Sequence, residues 1–369
     1  MERNFSFFIF HFTFQKYYLL LTQVVALAFV GITSASAQSL NSPYINKVYD
    51  YVPAPGQFVN LLPEWEEGDD AHKMADKCTE LLAGEDASMI CLGGFGGYVT
   101  FGFDHPVVNK SGEYDLYMKG NAVLSDQVER AGSSEPGIVM VSQDTNGNGL
   151  PDDEWYELSG SADEDSIGKV TYNYEITYTY SSLQDTPWTD NQGQSGVVPR
   201  NDYHGQEYFP MWLKDEPLTL TGTLLPKNGF DQSSNGSYWV MNCLRYGYVD
   251  NVPNLVDGVK NPVCCFNLDW AVDSDRRPVH LEYIDFVRVY CAENQVCGWL
   301  GETSTEFAGA EDLHPTLSPT GIQELRSSEA QEGLARLRQL RNIYDLSGRR
   351  VGENSRGLKI ENGKLKIEN

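Results

Sequence analysis

The chain has 369 residues and a formal net charge of −25, and 41% of its residues are hydrophobic and 12% aromatic. This composition is globular, and the length allows one large domain or two ordinary ones. The acidic excess lies in residues 38–320, which carry 44 Asp and Glu side chains against 15 Lys and Arg. A surface of this charge repels phosphate backbones, so we expect no nucleic-acid partner.

The amino terminus has the pattern of a secretory signal peptide. Lys16 precedes the apolar run YYLLLTQVVALAFVGI, and the small residues ASA at 35–37 suit a signal peptidase. We assign residues 1–37 to the signal peptide, cleaved before Gln38, with no lipobox cysteine at the cleavage site. The apolar run is short for a membrane span and no later segment qualifies, so we predict an exported protein without a transmembrane span.

One short helix is predicted in the next part of the chain. Apolar residues recur at helical spacing from Met74 to Leu82, Asp70 stands at the start and Gly84 just beyond the end. The preceding segment, Asn46 to Asn60, is aromatic and interrupted by proline, which is typical of an extended segment at a core edge.

Short strands separated by Gly, Asn, Asp and Pro dominate the chain from Met89 onward. Many β-runs with almost no helix predict a mainly β protein. The expected fold is an antiparallel β-sandwich, jelly-roll-like, with one short helix, and it occupies residues 38–313. The nine predicted runs are GYVTFGF, EYDLYM, GIVMVSQ, EWYEL, KVTYNYEITYTY, LTLTGTLL, RYGYVD, FNLDWAV and VHLEYIDFVRVY.

The turn between GIVMVSQ and EWYEL, with the sequence DTNGNGLPDDE, sets oxygen ligands at alternate positions. Its order matches the first half of an EF-hand calcium loop. It departs at the twelfth position, where Trp155 replaces a bidentate carboxylate, and both flanks alternate like strands. We therefore predict a hairpin loop with Ca²⁺ as its cofactor; a solvated turn without metal is the alternative. The predicted ligands are Asp144, Asn146, Asn148, Leu150, Asp152 and Glu154.

Residues 184–212 form a long segment that we predict to be irregular, and long irregular segments inside compact domains are usually functional or mobile. Aromatic residues beside hydrogen-bonding groups suit a flat polar ligand such as a sugar ring. The predicted ligand-binding residues are Trp188, Arg200, Tyr203, His204 and Trp212. An alternative is catalytic: Arg200, Tyr203 and His204 could serve a polysaccharide lyase as charge neutraliser and acid or base.

Seven cysteines occur in this exported chain. Export permits disulfides, and the pairs Cys291 with Cys297 and Cys78 with Cys91 are close enough in sequence to close short loops. Buried free thiols are the alternative. A CxxC motif is absent from the sequence, so we expect no structural zinc site.

The carboxy-terminal part divides into a linker, 314–340, and a small β domain, 341–369. The linker is rich in proline, serine and glutamate, and the strands NIYDL, GLKIEN and KLKIEN follow. The motif IYDLSGRRV followed by GLKI resembles the carboxy-terminal sorting domain of the type IX secretion system of Bacteroidota, with Leu358 in place of the usual tyrosine. The resemblance implies export to, or attachment at, the outer-membrane surface.

The middle of the chain, residues 44–314, is similar to a group of Bacteroidota cell-surface proteins. The shared stretches are GGFGGYVTFGFDHPVVN, SEPGIVMVSQDTNGNGLPDDEWYELSGS, YGYVDNVPN, DWAVD and GWLGETSTEFAGAEDLH. The resemblance implies a β-sandwich binding module, of a kind met beside outer-membrane receptors that import cobalamin or glycans. The candidate partners are therefore a small-molecule or glycan ligand and an outer-membrane receptor.

A non-catalytic binding protein is the function that we predict, stabilised by calcium and binding cobalamin or a glycan. The histidines stand alone in sequence, and a serine elbow of the G-x-S-x-G kind is absent. The alternatives are a polysaccharide-active enzyme of the lyase type and a structural or adhesive surface protein.

Overall fold

The structure of the protein is a computed structural model. It describes residues 41–165 and 168–319, together with the backbone of four short carboxy-terminal strands. The predicted signal peptide, 1–37, and residues 320–340 of the predicted linker lie outside the described residues.

Strands form most of the regular structure. In the main body they are β1 (Lys47–Val52), β2 (Ile90–Cys91), β3 (Tyr98–Gly102), β4 (Val107–Val108), β5 (Leu116–Met118), β6 (Ala131–Gly132), β7 (Gly137–Ser142), β8 (Trp155–Leu158), β9 (Thr171–Tyr178), β10 (Thr186–Asp190), β11 (Ser195–Val198), β12 (Leu218–Leu224), β13 (Gly229–Asp231), β14 (Trp239–Asn242), β15 (Leu255–Val256), β16 (Val259–Lys260), β17 (Cys265–Phe266), β18 (Ala271–Val272), β19 (Tyr283–Ile284), β20 (Phe286–Cys291), β21 (Glu306–Phe307) and β22 (Ala310–Asp312). The carboxy-terminal strands are β23 (Ile343–Tyr344), β24 (Arg350–Val351), β25 (Gly357–Glu361) and β26 (Lys364–Glu368).

One complete α-helix, α1 (Ala71–Leu82), lies within the described residues. The Asp70 side chain caps it by accepting a hydrogen bond from the backbone N–H of Lys73 at 2.9 Å. The helix ends at Ala83, immediately before Gly84, which confirms the predicted helix. The short 3₁₀ helices are Ser161–Asp163, Met211–Leu213, Pro262–Cys264, Leu268–Trp270 and Gly298–Leu300.

A six-stranded antiparallel sheet with the order β1-β3-β20-β7-β8-β18 is the centre of the fold. β20 is paired on both sides, so that Val289 stands opposite Val99 of β3 and Val139 of β7. Because side chains alternate along a strand, these valines all project to one face. The predicted extended segment near residue 50 forms the edge strand β1.

The first face of the six-stranded sheet is apolar and carries the main core. Residues of β3, β7 and β20 pack there against the buried side of α1 and several short strands. Burying each large aliphatic side chain contributes roughly 1.5 to 3 kcal/mol, so this face supplies most of the hydrophobic stabilisation. The main contributors are Met74, Cys78, Leu82, Val99, Phe101, Val139, Val141, Val287 and Val289.

The second face of the six-stranded sheet is covered by a four-stranded antiparallel sheet with the order β11-β10-β9-β12. Tyr174, Ile176 and Tyr178 alternate inward along β9 and pack with Phe95 and Leu220. The two sheets meet where the Tyr290 hydroxyl accepts a hydrogen bond from the Thr223 backbone N–H at 2.9 Å. This arrangement confirms the predicted mainly β, sandwich-like fold.

Three segments differ from the prediction. The run RYGYVD, 245–250, is a turn region with an isolated bridge at Val249, because Asp250 adopts a left-handed φ of 56° that interrupts a strand. The run FNLDWAV is broken by a 3₁₀ helix. The segment 184–212, predicted to be irregular, contains the β10–β11 hairpin.

Two further predictions, on the cysteines and on membrane-spanning helices, concern the described residues. All seven cysteines are free thiols, and six of them are buried, so the structure agrees with the alternative without disulfides. Within the described residues, no helix combines the length and apolar character that crossing a bilayer requires.

The carboxy-terminal strands form their own antiparallel sheet with the order β24-β23-β25-β26. Three of them correspond to the predicted strands, and β24 is an addition. Assignment of this sheet to type IX sorting stays a prediction.

A buried histidine in the turn between β3 and β4 is linked to β22, the last strand of the main body. His105 makes two hydrogen bonds of 2.6 Å, one through Nδ1 to Asp104 and one through Nε2 to Asp312 of β22. Burial opposes a charge on the ring, but the hydrogen bonds to Asp312 and Asp104 outweigh it and raise the pKa of His105 above its ordinary value. The imidazolium thus acts as a charged link between two chain segments.

We predict that His105→Asn lowers the free energy of unfolding by about 2 to 3 kcal/mol near pH 6, because hydrogen bonds between charged groups are lost. The folded-state pKa is raised, so this contribution is complete below the unfolded pKa of about 6.5 and disappears as pH rises through the folded value. Urea unfolding across this pH range measures it, with exposed His72→Asn as control. A deficit independent of pH would contradict the charged link.

Candidate functional site

A cleft of about 480 Å³ opens between the two sheets. The edge strand β12 and the first residues of β9 form one wall, and β3, β8, β20 and the turn after β18 form the other. Aromatic rings, hydroxyl groups and charged side chains line it together, which is the mixture expected of a site for a polar ligand. The aromatic and charged lining residues are Tyr98, Trp155, Glu157, Tyr172, Asp273, Arg276, Arg288 and Tyr290.

Arg288 is the central charged residue of the cleft. Its guanidinium carbon lies 4.3 Å from the ring centroid of Tyr98 and 4.4 Å from that of Trp155, so it is held between two aromatic faces. Its Nε donates a hydrogen bond of 2.9 Å to the Thr100 hydroxyl. Among the described residues, no carboxylate forms an ion pair with Arg288. Burial lowers the pKa of this guanidinium, and the nearby Tyr98 and Asp50 act in the opposite direction.

A second arginine of the cleft is neutralised. Arg276 forms an ion pair with Glu157 and lies 4.6 Å from the ring centroid of Tyr172. The other carboxylate oxygen of Glu157 accepts hydrogen bonds from Thr223 at 2.7 Å and Tyr290 at 3.3 Å. Arg276 adopts a φ of 63°, a conformation uncommon for a residue with a side chain.

Three ionisable groups of the cleft have pKa values shifted further from neutral pH. Burial, reinforced by the neighbouring Asp50, raises the pKa of Tyr98, and burial with Glu157 raises the pKa of Tyr290. A backbone hydrogen bond from Arg277 lowers the pKa of Asp273. A general base or acid needs a pKa near the working pH, so these groups are better suited to hydrogen bonding than to catalysis.

The structure brings four of the six predicted calcium ligands together in the loop between β7 and β8. Asp144 accepts the backbone N–H groups of Asn148 at 3.0 Å and Gly149 at 2.8 Å. The side-chain amides of Asn146 and Asn148 approach Asp152 at 3.0 to 3.2 Å. Rotating an amide by 180° presents its oxygen instead of its nitrogen.

The other two predicted ligands are arranged differently. The Glu154 carboxylate accepts the hydroxyl of Tyr156 at 2.9 Å, and the Leu150 carbonyl accepts the backbone N–H of Asp152 at 2.9 Å. The hairpin that was predicted around the loop is confirmed, since Met140, Val141 and Ser142 pair with Glu157, Tyr156 and Trp155. Calcium binding stays a prediction.

The predicted ligand-binding residues of 184–212 occupy several environments. Trp212 stacks on Tyr51 at 5.7 Å and packs against the main core, whereas Trp188 packs with the second cluster beneath Gly196. Arg200 donates to the carbonyls of Leu183, Gly205 and Gln206, and the His204 ring lies edge-on to Phe58 at 4.8 Å. Tyr203 is 79% exposed. Ligand binding by these residues stays a prediction.

The predicted site residues did not include those that line the cleft. Arg288 lies within the run VHLEYIDFVRVY, where a charged residue is flanked by valines that face the core. This alternation places Arg288 on the opposite face of the strand. It is the sequence feature from which a charged residue on that face could have been predicted. Nothing in the sequence indicated that Tyr98 and Trp155, 57 residues apart, would flank it.

Comparisons with known proteins add no relative from which a site could be transferred. No family model matches the chain, and no curated protein matches it. The residues of the cleft and of the 144–154 loop therefore carry the functional inference.

Proposed function

We propose that the protein is a non-catalytic binding protein whose inter-sheet cleft holds an acidic glycan, one that carries carboxylate or sulfate groups. The observation that carries this proposal is Arg288, a desolvated guanidinium between two aromatic rings without a carboxylate partner among the described residues. A planar guanidinium with free N–H groups suits bidentate binding of a carboxylate or sulfate.

The charge balance of the cleft supports an anionic ligand. Glu157 is paired with Arg276, and Asp273 is paired with Arg277. Arg288 has no ion pair among the described residues, and Asp50, whose charge acts on Arg288, is hydrogen-bonded to the Tyr98 hydroxyl at 2.7 Å. Burying an unpaired charge is costly, and an incoming anion would offset this cost.

The shape and polarity of the cleft support a carbohydrate. Trp155, Tyr98 and Tyr172 offer ring faces on which sugar rings can stack. Residues Thr219 to Thr223 of β12 line the opposite wall, where the Thr223 hydroxyl donates to Glu157 at 2.7 Å. We favour a glycan over cobalamin because aromatic rings flank a guanidinium that is free to bind the acidic group of a sugar.

The ionisable groups that line the described cleft support binding rather than turnover. Tyr98 and Tyr290 both have a raised pKa, and Glu157 is held by an ion pair to Arg276. Elimination of a uronate needs a base that can ionise at the working pH. We therefore place the lyase-type enzyme second to the binding protein.

We further propose that Ca²⁺ binds the 144–154 loop and orders the cleft wall. Asp144, Asn146, Asn148 and Asp152 form one hydrogen-bonded network of oxygen-rich side chains. Trp155 follows directly after the loop and contacts Arg288, so stiffening the loop would hold this ring in place. Export through a type IX route and delivery of ligand to an outer-membrane receptor complete the proposal.

We predict that Arg288→Met weakens binding of polygalacturonate or alginate by about tenfold to a hundredfold, because a charge-assisted hydrogen bond contributes roughly 1.5 to 3 kcal/mol. Calorimetry of the full chain measures this, with neutral dextran and cyanocobalamin as comparison ligands. Arg245→Met is the matched control, since Arg245 pairs with Glu164 and Asp165 outside the cleft.

Three outcomes would contradict this function. The two arginine variants could bind acidic polymers equally well, or the native protein could prefer dextran or cyanocobalamin. Growth of ultraviolet absorbance from unsaturated uronate products would instead establish the lyase.

For the loop, we predict that the double variant Asp144→Ala, Asp152→Ala has a melting temperature several degrees below that of the native protein in millimolar calcium. In the presence of a chelator, the two proteins should have the same melting temperature. A bound ion at a hundredfold excess over its dissociation constant stabilises by about 2.7 kcal/mol. Thermal unfolding with and without chelator measures the difference, and exposed Asp126→Ala is the control. Equal melting of native and variant protein in both conditions would exclude a calcium loop.

A further inference from the structure

Five carboxylates from separate parts of the chain meet in the interior, away from the cleft and the 144–154 loop. Most of them belong to residues with little exposure: Asp250 is 3% exposed, Glu293 2%, Glu302 6% and Glu306 5%. Glu135, immediately before β7, is the fifth. Charged groups are almost never buried without a partner, so a cluster of like charges requires a physical explanation.

Three members of this cluster have the spacing of metal ligands. One carboxylate oxygen from each of Glu135, Asp250 and Glu306 lies within 4.8 Å of the other two. Calcium binds oxygen at 2.3 to 2.6 Å, so two ligands of one ion are separated by at most about 5 Å. A single ion can therefore reach all three carboxylates.

Three backbone N–H groups hold the carboxyl group of Asp250. Its Oδ1 accepts the backbone N–H groups of Asn121 at 2.7 Å and Ala122 at 2.8 Å, and its Oδ2 accepts that of Glu306 at 3.0 Å. These donors favour the ionised carboxylate, whereas burial and the charge of Glu306 oppose it and raise the pKa of Asp250. A cation beside Asp250 would offset the cost of burying its charge.

The protein itself provides no such cation among the described residues. None of the five carboxylates forms an ion pair with a lysine, arginine or histidine there, although ion pairs are frequent on the surface. Burial, together with the charges of the other four, raises the pKa of Glu135. This is the repulsion expected when carboxylates are gathered without a counter-charge.

A second observation, independent of the three-residue spacing, points to a missing partner. Glu293 Oε1 and Glu302 Oε2 are buried and have no hydrogen-bond partner. The second oxygen of each is satisfied, Glu293 Oε2 by Gln295 at 2.7 Å and Glu302 Oε1 by the backbone of Gln57 at 2.7 Å. The Thr303 hydroxyl donates to Glu293 Oε2 at 3.2 Å, and the backbone N–H of Ser304 donates to Glu135 Oε1 at 3.4 Å. Because Glu302, Thr303 and Ser304 are consecutive, the two bare oxygens lie beside the three-residue group.

We infer that Glu135, Asp250 and Glu306 bind a buried hard divalent cation, Ca²⁺, with Glu293 and Glu302 in the surrounding shell. Oxygen donors alone select calcium over zinc or copper. The thiols near the cluster, Cys91, Cys291 and Cys297, all have a pKa raised by burial, so they offer no thiolate. The ion would join the segment before β7, the 245–254 turn region and β21, and it is separate from the proposed ligand cleft.

This inference is tested by dialysing the full-length protein against calcium and measuring the calcium that remains bound per chain. In the Asp144→Ala, Asp152→Ala background, which removes the loop site, we expect one calcium ion per chain and a calcium-dependent rise in melting temperature. Adding Glu306→Gln should weaken calcium binding at least tenfold and abolish that rise. Glu175→Gln, exposed on β9, is the matched control and should retain the ion.

In chelator, Glu306→Gln should melt at or above its background, because one repelling charge has been removed. If Glu306→Gln does not fold, Glu135→Gln with the same readouts decides. The inference would be overturned if the Asp144→Ala, Asp152→Ala protein bound no calcium, or if adding Glu306→Gln left calcium binding unchanged. The buried carboxyl groups would then be neutralised by protons. Neither result would affect glycan binding at Arg288, so the two proposals fail separately.

Discussion

The alternation of side chains along β20 gives the central sheet two chemically different faces. Val287 and Val289 enter the main core beside α1, whereas Arg288 and Tyr290 project toward the four-stranded sheet. The apolar face supplies the stabilisation that allows the second face to hold charged and hydroxyl groups. The cleft thus depends on a core that it does not touch.

Two regions of the structure contain charged groups that lack a partner of opposite charge. Among the described residues of this acidic chain, Arg288 has no ion pair with a carboxylate in the cleft, and five carboxylates in the interior have no ion pair with a basic side chain. Each arrangement is costly for the protein alone. Both become favourable if the missing opposite charge comes from outside, an anionic glycan at the cleft and a calcium ion inside.

Both proposed ion sites lie next to β7 and the loop that leads from it to the ligand cleft. The 144–154 loop leads directly into Trp155, which contacts Arg288, and Glu135 stands immediately before β7, the strand that leads into the same loop. Ions at the two positions would hold both ends of β7. A binding protein that works outside cells gains from such rigidity, because a preformed site loses less conformational entropy when the ligand binds.

Local features of the chain were readable from sequence because they depend on neighbours. Helix α1 has its own cap and spacing, the β7–β8 hairpin has a turn rich in Asn and Gly, and the alternating runs predict a mainly β fold. Asp144, Asn146, Asn148 and Asp152 come together because only a few residues separate them. The cleft and the carboxylate cluster were decided by tertiary structure alone, since Arg288 meets Tyr98 and Glu135 meets Asp250 and Glu306 only after the sheets pair. Strand order and register bring such distant residues together, and periodicity along one strand carries no information about which strand will lie beside it.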